Sequence, residues 1–539
     1  MDSSYDVVII GGGLAGITAA LELLDHHQKI LLLDRSTPDR LGGLARWAMG
    51  GLFYVDSPFQ RKAGFQDCPE RALKDWISFA EFEPGDELPR QWAEQYVSRC
   101  TPEVYEWLKP KGVRYIPSVQ WLERGWHQAG NSVPRFHVVW GTGQGLVDTL
   151  LNHLHKHPNR RQLTLAFQQD VTDLLGDHNR VSGVRGKNLN TQEPFEVEAH
   201  TVIIAAGGIT GDVDLVKRHW HHDLGAPPPT LLTGSHRVAN GDIHQIAERL
   251  DARVTHLDKQ WNYAAGVHHP DADHPAHGLS LVPPKTAVWV DHRGDRIGPE
   301  PLITGFDTRF LVEQIARQEK GYSWQILNHK IALKELGVSG SKYNDAMRER
   351  NTLGFIRNIL FGNKNLVETL VNRCQDVVIA DSLEELVRKM NALTGSEEIE
   401  INRLKASVQT FDEALTGKRD DPQVQKITEL LRYRGDKLRT IRNQPILAPK
   451  AGPLIAIREF ILTRKSLGGI QTDLNSQVLT VGGSPIEGLY AVGEAAGFGG
   501  GGIHGKRALE GTFLGNCIFN ARVAVKHMVG ESPKAKVGM

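Results

Sequence analysis

Residues 5–10 crowd Val and Ile together without polar alternation, the pattern of a strand buried on both faces of a parallel sheet. Glycines at 11–13 and 16 interrupt it. Apolar positions then fall at helical spacing over 14–24, and 30–33 is again an apolar run, ending in Asp34. The first 34 residues therefore read as one strand–helix–strand unit. The stretch from about 65 to 140 is dense in Trp, Pro and charge, with helical patches, and reads as an insertion over the sheet. Strand patterns resume at 163–166, 180–184 and 195–197, and a further buried strand, 202–205, runs into Ala206, Gly207 and Gly208. Residues 243–250 have helical spacing. From about 262 to 445 the chain turns polar and helix-rich, with helices predicted over 382–393 and 398–415 behind capping residues. Buried-strand and glycine patterns return from 454, and the last predicted helix covers 512–528. No internal repeat is visible.

A chain of 539 residues with 40% hydrophobic content can bury more than one core, because single cores stop growing at roughly 250 to 300 residues. The pattern divides it into a first domain in two parts, 1–261 and 446–530, around a second domain at 262–445, with a Lys-containing tail at 531–539 expected to be disordered. Lys plus Arg and Asp plus Glu number 63 each, so no global field draws in nucleic acid or an anionic surface. A charged partner would need a local patch. Cys68, Cys100, Cys374 and Cys517 form no C-x-x-C pair, which removes iron–sulfur, zinc-ribbon and dithiol readings. Met-Asp-Ser-Ser leads straight into a strand with no secretory signal, so cytoplasmic residence is expected. No run approaches the length of a membrane-spanning helix.

The chemistry begins at Gly11-Gly12-Gly13-Leu14-Ala15-Gly16. A tight turn after a strand, bare backbone against a pyrophosphate and close helix–strand packing each need glycine there, and the helix N-terminus faces the phosphates. Asp34, at the end of the next strand, suits ribose hydroxyls and argues against a 2′-phosphate. This is a Rossmann-type unit, though the motif alone leaves FAD and NAD both open. The other end of the chain favours FAD. There a strand over 489–492 delivers Gly493-Glu494, and Phe498-Gly499-Gly500-Gly501-Gly502-Ile503-His504-Gly505 follows. An acidic residue and bare backbone suit a ribityl chain. The N-terminus of the helix at Thr512 would face a reduced flavin's N1 and C2 carbonyl.

These motifs, with Gly42-Gly43-Leu44-Ala45-Arg46-Trp47-Ala48-Met49-Gly50-Gly51 and Leu467-Gly468-Gly469-Ile470-Gln471-Thr472-Asp473, resemble the fumarate reductase and succinate dehydrogenase flavoprotein superfamily. That superfamily includes 3-ketosteroid dehydrogenases. The likeness covers nearly the whole chain and is nearest to a branch described only as FAD-binding dehydrogenases. It implies an α/β fold: a Rossmann-type, glutathione-reductase-like FAD domain split in sequence around an α+β capping domain, with substrate between them. The implied reaction is hydride exchange between flavin N5 and a C–C or C=C bond beside a carbonyl. The implied cofactor residues are Gly11, Gly13, Leu14, Ala15, Gly16, Asp34, Arg35, Gly42, Gly43, Leu44, Trp47, Ala48, Gly50, Gly51, Val171, Ala206, Gly207, Gly493, Glu494, Gly511, Thr512 and Leu514. Members that attach FAD covalently use a histidine where this chain has Leu44, so FAD is expected to be non-covalent.

His504, Arg507, Lys465 and Arg464 fall in the two segments that line the active site of relatives, and Arg309 falls near where fumarate reducers keep an arginine proton donor. All five are candidate catalytic residues. Arg464-Lys465-Ser466 in place of a His-His-Thr segment, and Ala508 in place of an arginine, count against fumarate. Phe498 in place of a tyrosine counts against a steroid. The expected partners are a small carbonyl or carboxylate compound and an electron acceptor that the sequence does not name. An amino-acid or hydroxy-acid oxidase, or a flavin-binding redox protein without turnover, stays open beside the dehydrogenase. Trp140-Gly141-Thr142-Gly143-Gln144-Gly145 reads equally as an anion-binding helix start or a plain turn. His268, His269, His274 and His277, with Asp271 and Asp273, lack helical spacing and read as a solvated loop, so no metal site is expected.

Overall fold

The computed structural model describes residues 1–531, and the predicted tail lies, from 532 on, outside the described residues. Two eight-stranded sheets organise the chain. In the first, Ser4–Ile10 sits between Ile30–Asp34 and Pro194–Ile204, parallel to both. Leu163–Phe167 and Pro485–Ala491 extend the parallel array on either side. The near-continuous Val/Ile runs follow from this placement, since both faces of these strands are covered. Helices Leu14–Asp25 and Thr512–Met528 pack on one another over that sheet, so the two ends of the chain share one layer.

The two expected strands at 195–197 and 202–205 are one strand, Pro194–Ile204. Its first half alternates buried and exposed residues against the antiparallel strand Val181–Asn188, and its second half is buried on both faces beside Ser4–Ile10. The change of pattern along one strand looks like a break in sequence.

The second sheet is richer in strand than the polar stretch 262–445 suggests. Tyr322–Asn328 carries the buried polar residues Ser323, Gln325 and Asn328, which mask its strand character. The longest strand, Leu454–Ser466, comes from beyond the expected boundary at 445 and pairs with both Tyr322–Asn328 and Gln260–His268. Leu232–Thr233 joins the same strand from before 261. The second sheet thus borrows chain from both sides of 262–445. Among the described residues no helix is long and apolar enough to cross a membrane.

The insertion forms helices Pro69–Ala80 and Glu87–Cys100, whose Trp76, Phe79, Trp92 and Tyr96 are fully buried. Their polar tips are satisfied by distant backbone: Trp76 Nε1 donates to the Ile503 carbonyl (2.9 Å), Trp92 Nε1 to Asp473 (3.0 Å) and Tyr96 Oη to Phe53 (3.1 Å). Arg135, fully buried, fixes the start of the insertion by a fork to Asp67 (2.8 Å on both arms) and a third bond to Asp75 (2.6 Å). Removing the cation would strand two carboxylates in a dry interior. Arg135→Met is expected to lower unfolding free energy by about 3 to 5 kcal/mol. In denaturant titrations, adding Asp67→Asn and Asp75→Asn to that variant should recover part of the loss.

Candidate active site

A cavity of about 670 Å³ runs between the two sheets. One end is backbone. At Gly11 (φ +106°) a Cβ would lie 2.5 Å from the Ala205 carbonyl oxygen, so only glycine lets the first strand turn there. At Gly13 the nearest atom to a Cβ is 3.9 Å away, which leaves the chain bare towards the cavity. Asp34 is aimed by its neighbours: its carboxylate accepts the N–H of Gly12 (2.6 Å) and of Ser36 (2.7 Å). Glu494, just after Pro485–Ala491, accepts the Ser466 N–H (2.8 Å), and desolvation pushes its carboxyl up to about 7. Gly511 caps the closing helix with no side-chain bond to its first turn, so free N–H groups stand at the cavity wall.

Seventeen predicted cofactor residues line this cavity: Gly11, Gly13, Leu14, Ala15, Asp34, Gly42, Gly43, Leu44, Ala48, Gly50, Gly51, Ala206, Gly207, Gly493, Glu494, Gly511 and Leu514. Five stand off it. Gly16 serves packing, since a Cβ there would meet the Gly11 carbonyl at 2.0 Å. Arg35 turns away to Asp170 (2.5 Å) and Asp242 (2.9 Å), Trp47 stacks on His236 (3.9 Å between centroids), and Val171 is buried on a strand of the first sheet, Gln169–Gly176. Thr512 donates to the Leu509 carbonyl (2.6 Å). The bare backbone after Phe498 also has another cause: a Cβ at Gly499 or Gly500 would come within 2.9 Å of the Trp92 indole, so these glycines make room for the insertion.

At the other end, Arg464, Lys465, Tyr263, Glu510 and Phe513 converge. Alternate residues of a strand normally point to opposite faces. Here pairing runs Trp261 with Lys465 and then Asn262 with Thr463, leaving Arg464 as the extra residue of a β-bulge. The bulge turns two successive cations into one cavity. Lys465 Nζ lies 3.2 Å from Tyr263 Oη and 3.9 Å above the Phe513 ring centroid. Tyr263 Oη donates to Glu510 Oε1 (2.6 Å), which also accepts Trp261 Nε1–H (2.9 Å). Burial pushes Lys465 down to about 8, and burial with the neighbouring Glu510 charge holds the Tyr263 phenol well above its ordinary range. Arg464 Nη1 donates to Ser339 Oγ (3.2 Å). Glu123, also on the cavity wall, accepts the Thr308 N–H (3.0 Å) and its hydroxyl. Burial, reinforced by Asp307, outweighs those two bonds and keeps its carboxyl well above the usual range.

Three predicted catalytic residues do not reach the cavity. His504 is fully buried, donates its Nε2–H to Thr512 Oγ1 (2.8 Å), and lies among the rings of Trp76, Phe498 and Phe513. Burial pushes it down to about 3, so it does not titrate near neutrality. Arg507 pairs with Asp307 (3.1 Å), Glu313 (3.6 Å) and Glu81, and Arg309 with Glu313 (3.0 Å) and Asp223 (3.5 Å). Both arginines tie the helix Thr308–Ala316 to the segments beneath it and leave no charge for a substrate. Residues 140–145 start the helix Thr142–His155 away from the cavity. In the histidine loop, Asp273, His274 and His277 come within one ion's reach, while His268 bonds Asp376 (2.8 Å).

Tyr263, Glu510, Trp261 and Glu123 were not singled out from sequence. Glu510 carries a local signal, standing directly before the Gly511 helix start. Glu123 and Thr308 are 185 positions apart and carry none.

A family described as FAD binding domain matches residues 6–514. The chain is 41% identical to a KsdD-like steroid dehydrogenase of Mycobacterium tuberculosis, over 96% of this chain and 94% of that one. It is 39% identical to a KsdD-like steroid dehydrogenase of Mycolicibacterium smegmatis, over 94% and 96%. Among solved structures, 3-ketosteroid delta1-dehydrogenase from Sterolibacterium denitrificans superposes with a TM-score of 0.72 at 16% identity, covering 98% of this chain and 100% of that one. A flavocytochrome c3 fumarate reductase in its open conformation gives 0.69 at 18%, covering 98% and 79%. These two similarities show the fold.

Unfolded, His504 takes up a proton near 6.5; folded, only near 3. Its contribution to stability is therefore full above 6.5 and is lost as pH falls between those values. His504→Gln should cost about 1 to 2 kcal/mol at pH 7.5 and less at pH 5. Calorimetric melts at the two pH values check this.

Proposed function

The chain belongs to the FAD binding domain family and is an FAD-dependent oxidoreductase; on that premise we propose that it dehydrogenates a carbon–carbon bond beside the carbonyl of a large apolar ketone, of the steroid class. The observation that carries the reading is the Lys465–Tyr263–Glu510 group, set where the glycine-lined end of the cavity meets an apolar one. Ile116, Leu122, Leu281, Val282, Leu336 and Met347 line the apolar part. A rigid hydrocarbon skeleton suits such walls. The relatives named as steroid dehydrogenases support the same class.

The glycine-lined end fits FAD: Gly13 leaves open space where a Cβ would project, Asp34 suits ribose hydroxyls, and the Gly511 helix start suits a carbonyl or anion. Leu44 offers no atom for a covalent bond, so the cofactor is held non-covalently. Bound there, FAD supplies a two-electron acceptor for hydride. Arg464 binds the ketone oxygen and steadies the charge that grows on it. Tyr263 takes the proton from the carbon beside the carbonyl while passing its own to Glu510, and the Lys465 ammonium lowers the cost of negative charge on the phenol oxygen. Phe498 leaves no phenol in the glycine loop, but Tyr263 brings one in from the strand Gln260–His268.

Anaerobic mixing with 3-ketosteroids should bleach the flavin within the mixing experiment, whereas fumarate should leave the reduced flavin unoxidised. Failure of every apolar ketone to bleach it would overturn the reading. Tyr263→Phe is expected to slow bleaching by roughly 10² to 10⁴-fold with FAD still bound.

Lys465 is charged below its pKa of about 8 and neutral above it. The bleaching rate should therefore fall as pH rises through that value, and Lys465→Arg should remove the fall. Stopped-flow rates across pH 6.5–9.5 decide this.

A further inference from the structure

We propose that the helix Thr352–Phe361 seats the protein on an anionic lipid surface, with the substrate cavity opening beside it. This is the one α-helix among the described residues with no buried residue. Its outward side carries Leu353 (81% exposed), Ile356 (48%), Leu360 (62%) and Phe361 (74%). Among the described residues no other run exposes large apolar side chains so closely spaced. Left in water, such a face is a liability.

The helix is continuous with the cavity. Its inner residues Phe355, Asn358 and Ile359 line it, as does Leu438, itself 45% exposed. The helix is held in place by the Lys334 ammonium, which donates to the Ile359 carbonyl (3.0 Å), and by Phe355 edge-on to Trp140 (5.3 Å between centroids). One short helix thus has the cavity on one side and an uncovered apolar face on the other.

Charge and area select the occupant. The whole chain is neutral, and around this helix Lys342, Arg348, Lys364 and Arg373 are paired with carboxylates, which leaves Arg350 and Arg357 as the cations without an ion pair among the described residues. Arg357 projects with the apolar face and has no ion pair among the described residues. An outward row of leucines with a cation on the same helix suits a bilayer carrying anionic headgroups. The four side chains expose on the order of 500 Å², short of the roughly 800 Å² a side that a stable protein interface uses. Insertion of a few apolar side chains into a bilayer has no such threshold. The substrate side of this proposal rests on the apolar-ketone reading above: a ketone dissolved in lipid would reach the cavity past Leu438 and Phe355 without crossing water.

The test is co-sedimentation of the FAD-loaded full chain with vesicles of phosphatidylcholine alone and of phosphatidylcholine with phosphatidylglycerol. Binding is expected to the second kind. Leu353→Ser with Leu360→Ser and Phe361→Ser should weaken it by roughly tenfold or more, and Arg357→Glu severalfold. Melting temperature and flavin bleaching by a water-soluble ketone should not change in these variants. The proposal is overturned if the parent chain ignores both vesicles, or if the variants bind as well as the parent. It is also overturned if equilibrium sedimentation finds a dimer that the triple variant dissolves, since a second copy would then cover the face. Vesicle binding is read without turnover. A chain that binds through this helix yet bleaches with no ketone keeps the docking face and loses the substrate assignment.

Discussion

Everything at the active site hangs on one strand being in two places. Leu454–Ser466 runs down the middle of the second sheet, paired on both sides, and its last residues reach the first domain. Its final N–H, on Ser466, is accepted by Glu494, and the Ser466 hydroxyl accepts the Ile209 N–H (2.8 Å). The two preceding residues are the cations of the cavity. Because the strand is fixed by sheet bonds at one end and by the Glu494 carboxyl at the other, Arg464 and Lys465 have little freedom to shift relative to the glycine-lined trough. A catalytic group displaced by about an ångström loses much of its effect. A long paired strand is a stiffer mount than a loop.

The remaining cations serve a different purpose, and magnitudes tell the two sets apart. Arg507 and Arg309 each meet two or more carboxylates at low exposure, so their charge is already spent inside the protein. Drawing either towards a substrate would leave Asp307 or Glu313 unpaired in a dry region, at a cost of several kcal/mol. Arg464 has only a hydroxyl and a carbonyl as partners, at 3.2 and 3.4 Å. With no carboxylate against it among the described residues, its charge remains free to act in the cavity.

Legibility followed locality. The strand–helix–strand unit, the closing helix and Asp34 could be read because each is set by neighbouring residues: apolar runs, glycines in a turn, an acid at a strand end. The second sheet was obscured by buried polar residues such as Gln325 and Glu459, which break the apolar signature of a covered strand. His504 misled for a related reason. A glycine-rich setting marks close approach of something to the backbone, and at Gly499 and Gly500 that something is Trp92 rather than a ligand. Tyr263 and Glu510 are separated by 247 positions and meet only through the fold, so no spacing rule reaches them.

The cavity also separates two carboxyls by environment, and that separation orders the proposed proton traffic. Glu123 receives two hydrogen bonds from Thr308, which favour its ionised form, yet full burial and the adjacent Asp307 push the other way and prevail. Burial thus disfavours its ionised form. Glu510 sits against a lysine ammonium through the Tyr263 hydroxyl and accepts two N–H or O–H bonds on a single oxygen. That is the environment of an acceptor. Two acids of the same kind, one desolvated in the wall and one hydrogen-bonded towards a cation, give the cavity two unlike ends.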